Sequence, residues 1–158
     1  MNEIDQDYLV PDGTGIQEIK DAVQSRCRIS EEEAHGVSRT FHDTFDWSVF
    51  AAGGALEELR SGERRLLVWH DLRGDQPPLA QEIDAEPGFS GDLPAGALTD
   101  RLARVLGIRR LLPLVTVQGQ VQTLRLLNED DKTIVRLQVE ANRFEDKARE
   151  RQGPLSTR

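Results

Sequence analysis

The chain is poor in several things at once. One cysteine, Cys27, in 158 residues excludes an internal disulfide and any zinc site built on several thiolates. No apolar run approaches the ~20 residues needed to cross a bilayer. The acidic start MNEIDQDYLV has neither the basic region nor the apolar core of a signal peptide, so a cytoplasmic domain without a membrane partner is expected. Basic residues are in deficit, with 20 Lys and Arg against 28 Asp and Glu for a net charge of −8. A pI of about 4.9 argues against nucleic acid as a partner, which calls for a basic stripe or excess. There is no P-loop, GxGxxG or GxSxG segment, which removes the common nucleotide and hydrolase motifs. His35, His42 and His70 lie far apart without ligand spacing, against a histidine metal site or catalytic base. Cys27, with no base partner in view, reads as a small buried hydrophobe.

What remains suits one ordinary domain, since a chain of this length buries roughly two-thirds of its unfolded surface without staples. Asn2 to Val10 alternates as a strand, with Glu3, Asp5 and Asp7 on one side. Pro11 to Gly13 form a turn, Thr14 is a candidate cap, and Ile16, Ile19 and Val23 predict a helix to about Arg26. Cys27 to Asp43 reads as strand, loop, strand. Asp46 to Gly53 fits one helical turn closed by glycine, with Asp43 or Thr44 as its cap and Trp47, Phe50 and Phe41 as core. Ala55 to Arg60 and Arg64 to Leu72 flank a Gly62 turn as a hairpin, and Leu79 to Ala85 reads as a short strand. A Gly/Pro loop runs from Glu86 to Gly96. Leu98, Leu102, Val105 and Leu106 mark a second helix stopped by Gly107, and Leu111 to Leu127 with Thr133 to Ala141 form a long hairpin. The domain is set at residues 1–142. The charged, Gly- and Pro-containing stretch 143–158 reads as a linker-like tail. The fold class this predicts is α+β: an antiparallel β tunnel or barrel of about seven to eight strands with two or more inserted helices.

The segment Arg39-Thr-Phe-His-Asp-Thr-Phe-Asp-Trp-Ser-Val-Phe-Ala-Ala-Gly53, followed by Leu56 to Leu59 and a hairpin, resembles the DTxDxxLxxxGxxLR stretch of CYTH domains, the triphosphate tunnel family. Glu3-Ile4-Asp5 stands where that family opens with Glu-x-Glu-x-Lys, and Arg109 to Glu140 resembles its paired late strands. The similarity covers residues 3 to 142 and is strongest to the CYTH domains that precede CHAD domains in bacterial proteins. The resemblance implies an eight-stranded antiparallel tunnel that binds triphosphate or polyphosphate with basic side chains. It also implies hydrolysis with Mg²⁺ or Mn²⁺ held by glutamates, and a CHAD domain downstream.

Carried over residue by residue, the resemblance makes Glu3, Asp5 and Glu140 candidate metal ligands and Arg125, Lys132 and Arg136 candidate phosphate contacts; it assigns no catalytic residue. Each has a plainer reading. Glu3 and Asp5, with Asp7 beside them, suit a solvated acidic strand face, and Glu140 suits a cross-strand ion pair. The three cations suit strand-edge charges. The sequence also departs from the family where phosphate would be held. Asp7 replaces a lysine, Leu56-Glu57-Glu58-Leu59 replaces Leu-Arg-x-Arg, and Gln118, Gln120 and Gln122 fill late-strand positions where arginines are common. Each lost cation removes on the order of 4 kcal/mol of attraction to a phosphate charge at an effective dielectric of ~20. Three functions follow in order of support: a degenerate tunnel kept as a binding or interaction module, for a divalent cation, a phosphate-containing ligand or a neighbouring domain; a metal-dependent triphosphatase or polyphosphatase; and a purely structural domain. Glu57 and Glu58, being adjacent on a strand, must point to opposite faces.

Overall fold

The computed structural model describes residues 8–146 and 151–157. The order of elements is α1 (Ile16–Gln24), β1 (Arg28–Glu31), β2 (His35–Asp43), α2 (Ser48–Ala51), β3 (Gly54–Ser61), β4 (Arg64–Asp71), β5 (Leu79–Glu82), α3 (Ala97–Leu106), β6 (Leu112–Leu127), β7 (Thr133–Asp146) and β8 (Arg151–Thr157). A 3-10 turn at Ser90–Asp92 precedes α3. The strands follow the order β5-β4-β3-β2-β6-β7-β8, and β1 adds to β6. The class is the expected one, an α+β fold on an antiparallel sheet. No helix among the described residues is long and apolar enough to cross a membrane.

By its internal contacts the chain forms two compact units. One holds the chain up to Gly36 with Gly119–Arg143 and the residues from Pro154; the other holds Val37–Gln118 with Phe144–Gly153. In the second unit β3 and β4 form the predicted hairpin. Ser61 pairs with Arg64 around Gly62, whose φ of +59° is a left-handed value that glycine adopts without steric cost. Helix α3 turns Leu98, Leu102 and Leu106 inward, each at most 1% exposed, because residues four apart share a face. They pack with Val49, Leu56, Leu67, Trp69, Ile83 and Leu111 into one core. Gly54 is required by this packing, since a Cβ there would come within 2.1 Å of the Trp69 ring. Gly107 (φ +56°) ends α3 as predicted.

In the first unit β1 pairs with the end of β6, Arg28 opposite Leu127 and Glu31 opposite Leu124. Arg28 donates to the carbonyls of Asn128 and Glu129 and pairs with Asp131 at 2.9 Å, clasping the β6–β7 turn. The Asn128 side chain accepts the N–H groups of Asp130 and Lys132, a local substitute for backbone pairing.

The structure differs from the sequence reading at several points. The expected opening strand Asn2 to Val10 falls mostly outside the described residues, and Tyr8, Leu9 and Val10 are not in a strand. Helix α1 begins after Gly15 rather than Thr14 and has no side-chain cap; none of its residues is fully buried. Strand β7 runs past Asn142 to Asp146, and Arg151–Thr157 forms β8 beside it. Pairing along a sheet edge uses backbone groups, so it does not require the apolar face that composition searches for.

Candidate functional site

The strand alternation of β3 decides the arrangement of charge in the second unit. Phe41 stands opposite Glu57, and Thr40 opposite Glu58, so the two acids face opposite sides of the sheet, as adjacency requires. Both are buried: Glu57 is 6% and Glu58 5% exposed. Each carboxylate is held by one arginine and one histidine from the flanking strands. For Glu57 the partners are Arg39 Nη1 on β2 at 2.6 Å and His70 Nε2 on β4 at 2.6 Å. For Glu58 they are Arg65 Nη1 on β4 at 2.8 Å and His42 Nε2 on β2 at 3.0 Å. In both cases the arginine or histidine sits diagonally across the ladder, within reach of a long side chain.

The two triads differ in access. His70 keeps 39% of its side chain exposed, whereas the His42 side chain is fully buried, with Nδ1 unpartnered. Burial pushes the Glu58 carboxyl up, but the hydrogen bond and charge of His42, with the Arg65 guanidinium, outweigh it and hold Glu58 below the ordinary glutamate value. A carboxylate so committed has little capacity left for a metal or substrate.

A second constellation joins β2 to α2. Asp43 accepts the N–H groups of Thr44 at 2.7 Å, Val49 at 2.8 Å and Phe50 at 3.0 Å. Thr44 Oγ1 accepts the Ser48 N–H and donates to Asp46. The expected capping role of Asp43 or Thr44 is thus shared by both, satisfying the donors that a helix start leaves unpaired. The Thr44 hydroxyl, together with Ser48 and Arg109, outweighs desolvation and lowers the Asp46 carboxyl; Arg109 Nε sits 2.7 Å from it.

The aromatic residues of this corner correct the sequence reading. Trp47 and Phe50 are 55% and 63% exposed rather than core, and Phe45 is 75% exposed. Phe41 is half-buried. Trp47, at φ 59°, ψ 39°, precedes α2 rather than lying within it, so its three-residue spacing from Phe50 is not that of one helical face.

Of the residues carried over from the resemblance, Glu3 and Asp5, with Asp7, lie outside the described residues. Glu140 is half-buried on β7. Arg125 on β6 lies 3.4 Å from Glu32 and donates to Ser30. Lys132 is exposed beside the β6–β7 turn and Arg136 is exposed on β7. Gln118 and Gln120 are exposed, and Gln122 donates to the Glu32 carbonyl. The described residues therefore supply Glu140 alone of the three carboxylates that would hold Mg²⁺ or Mn²⁺. They contain no group of three or more His, Cys, Asp or Glu side chains placed to bind a metal. Cys27 is half-buried, its thiol donating to the Val23 carbonyl. No protein-family model matches the chain, and no curated protein matches it significantly.

The Arg–Glu–His triads were not recognisable as units in the sequence. Glu57 and His70 are 13 residues apart and Glu57 and Arg39 are 18. The available signal was the Gly62 turn, which fixes the hairpin register and brings Arg65 and His70 diagonally to Glu58 and Glu57.

Proposed function

We propose that this chain is a CYTH-like triphosphate-tunnel domain whose phosphate site is degenerate and which serves as a binding or interaction module, in a CYTH–CHAD type protein. The observation that carries this reading is Glu57. It stands where the resemblance calls for a phosphate-binding arginine, and its carboxylate takes up the Arg39 guanidinium and the His70 ring. A polyphosphate entering that face would have to displace a buried carboxylate from both partners while meeting its negative charge. The exposed aromatics of the α2 corner support a role in contact rather than turnover.

Calorimetry of the whole chain with tripolyphosphate, with and without Mg²⁺ or Mn²⁺, tests this, together with a phosphate-release assay. The expected result is no micromolar binding without metal and no turnover at ordinary enzymatic rates. Metal-dependent hydrolysis abolished by Glu3→Ala or Glu140→Ala, with Arg125 and Arg136 needed for binding, would establish the triphosphatase instead.

A further inference from the structure

We infer that His70 is a phosphoryl-accepting histidine, with Nδ1 as the nucleophile and Glu57 as the residue that positions its ring, an inference that goes beyond the interaction-module reading and does not depend on it. Of the three histidines, His70 alone joins a buried carboxylate to open water. Glu57 is 6% exposed and accepts from His70 Nε2 at 2.6 Å and from Arg39 Nη1 at 2.6 Å. A carboxylate held by a guanidinium only accepts, so the proton is on Nε2 and the Nδ1 lone pair is free. Among the described residues Nδ1 has no hydrogen-bond partner, and it is not sealed from water as Nδ1 of His42 is. The His70 side chain is 39% exposed, and the residue directly across the ladder is Ala55, too small to cover it.

The neighbouring acids are committed elsewhere. Asp71, next in the chain, falls on the opposite face of β4 and accepts the N–H groups of Arg73, Asp75 and Gln76. Asp43, which shares its face of β2 with Arg39 and Phe41, is taken up by three backbone N–H groups. An anionic donor at the outer edge of the ring therefore meets Glu57 already paired with Arg39, and it displaces neither partner of that carboxylate.

A single free nitrogen does not make a metal site, and no described group of three His, Cys, Asp or Glu side chains supplies the other ligands. It does take up an electrophile. With a phosphoramidate as donor, the Nδ1 lone pair forms a bond to phosphorus while the bond from phosphorus to the donor's protonated nitrogen breaks; that nitrogen keeps the bonding pair and leaves as neutral ammonia. The Nε2 proton stays between the ring and Glu57, so the ring becomes a cation beside a fixed carboxylate. A carboxylate that fixes the tautomer of an imidazole and stabilises its cation is the usual support of a reactive histidine.

The test incubates the whole chain with potassium phosphoramidate and follows it by phosphorus NMR and by peptide mapping in alkali, where phosphohistidine survives. His35, exposed at the start of β2 and without a partner among the described residues, is the internal reference; His42, with a fully buried side chain, reports unfolding. The expected product is the Nδ1 isomer on His70, formed about tenfold or more faster than phosphohistidine on His35, with none on His42. Glu57→Gln keeps an oxygen to accept the Nε2 proton but lacks the charge, and should bring His70 down to the rate of His35 while leaving His35 unchanged. That selectivity separates positioning from folding, since an unfolded variant would label His42 as well; in that case the wild-type rate ratio and isomer decide. The Nε2 isomer on His70, a His70 rate no greater than that of His35, or an unchanged rate in folded Glu57→Gln would each overturn the inference. None of these outcomes bears on the tripolyphosphate calorimetry, which decides the module reading separately.

Discussion

Glu58 on β3 and Glu82 on β5 show how differently two ion-paired carboxylates of one sheet contribute. Glu58 is 5% exposed and shares its charge with a fully buried histidine side chain; Glu82 meets Arg64 with side chains 61% and 83% exposed. Removing one partner of a buried pair leaves the other desolvated, so Glu58→Gln is expected to cost about 3 kcal/mol in urea unfolding. Glu82→Gln should change stability by less than about 0.5 kcal/mol. Equal effects would mean that Glu58 is hydrated in solution. The pH dependence has a definite sign. The Glu58 carboxyl lies below its ordinary value of 4.5, so the unfolded chain binds a proton more readily. The stabilisation is therefore complete above that value and is lost as pH falls through the lower folded-state value. Stability curves of the wild type and Glu58→Gln should converge in acid, and parallel curves down to the acid limit would contradict the assignment.

At the scale of elements, helix α3 and the β3–β4 hairpin carry the core of the second unit. Leu102→Ala, at a position with no exposed surface, should cost 2–5 kcal/mol, the usual range for a core cavity. Gly54→Ala drives a methyl into the Trp69 ring and should cost roughly 1–3 kcal/mol with a shift in Trp69 emission. An unchanged melting temperature for Gly54→Ala would show that the ring moves aside freely. Both elements were legible in the sequence, because Leu98, Leu102 and Leu106 keep helical spacing up to a stopping glycine and Gly62 sits between two apolar runs. The α2 corner was legible only in its polar half. Asp43 and Thr44 read correctly as caps, whereas Trp47 and Phe50, three apart, have the spacing of a buried helical face. Trp47, in a left-handed conformation, stands before α2 and not within it, and spacing is silent on such a backbone angle. The acids of β3 defied reading for a related reason: alternation puts one on each face, but their burial depends on basic partners from two other strands.

For the whole molecule, protection is expected to be uneven. Helix α1 buries no residue fully, while β3 and β4 hold Leu56, Leu67 and Trp69 at 1% exposure or less. Hydrogen exchange should be fastest in α1 and slowest in β3 and β4; equal protection would imply a cooperative unit that includes the first helix. The consecutive acids have a further consequence. If β3 slid by one residue along its neighbours, each side chain would change face, and only one carboxylate would find a basic pair waiting. Leu56 or Leu59 would take the other place, leaving an arginine and a histidine facing an apolar side chain, and Gly54 would no longer lie against Trp69. Two acids side by side thus act as a register lock that tolerates no slip in either direction.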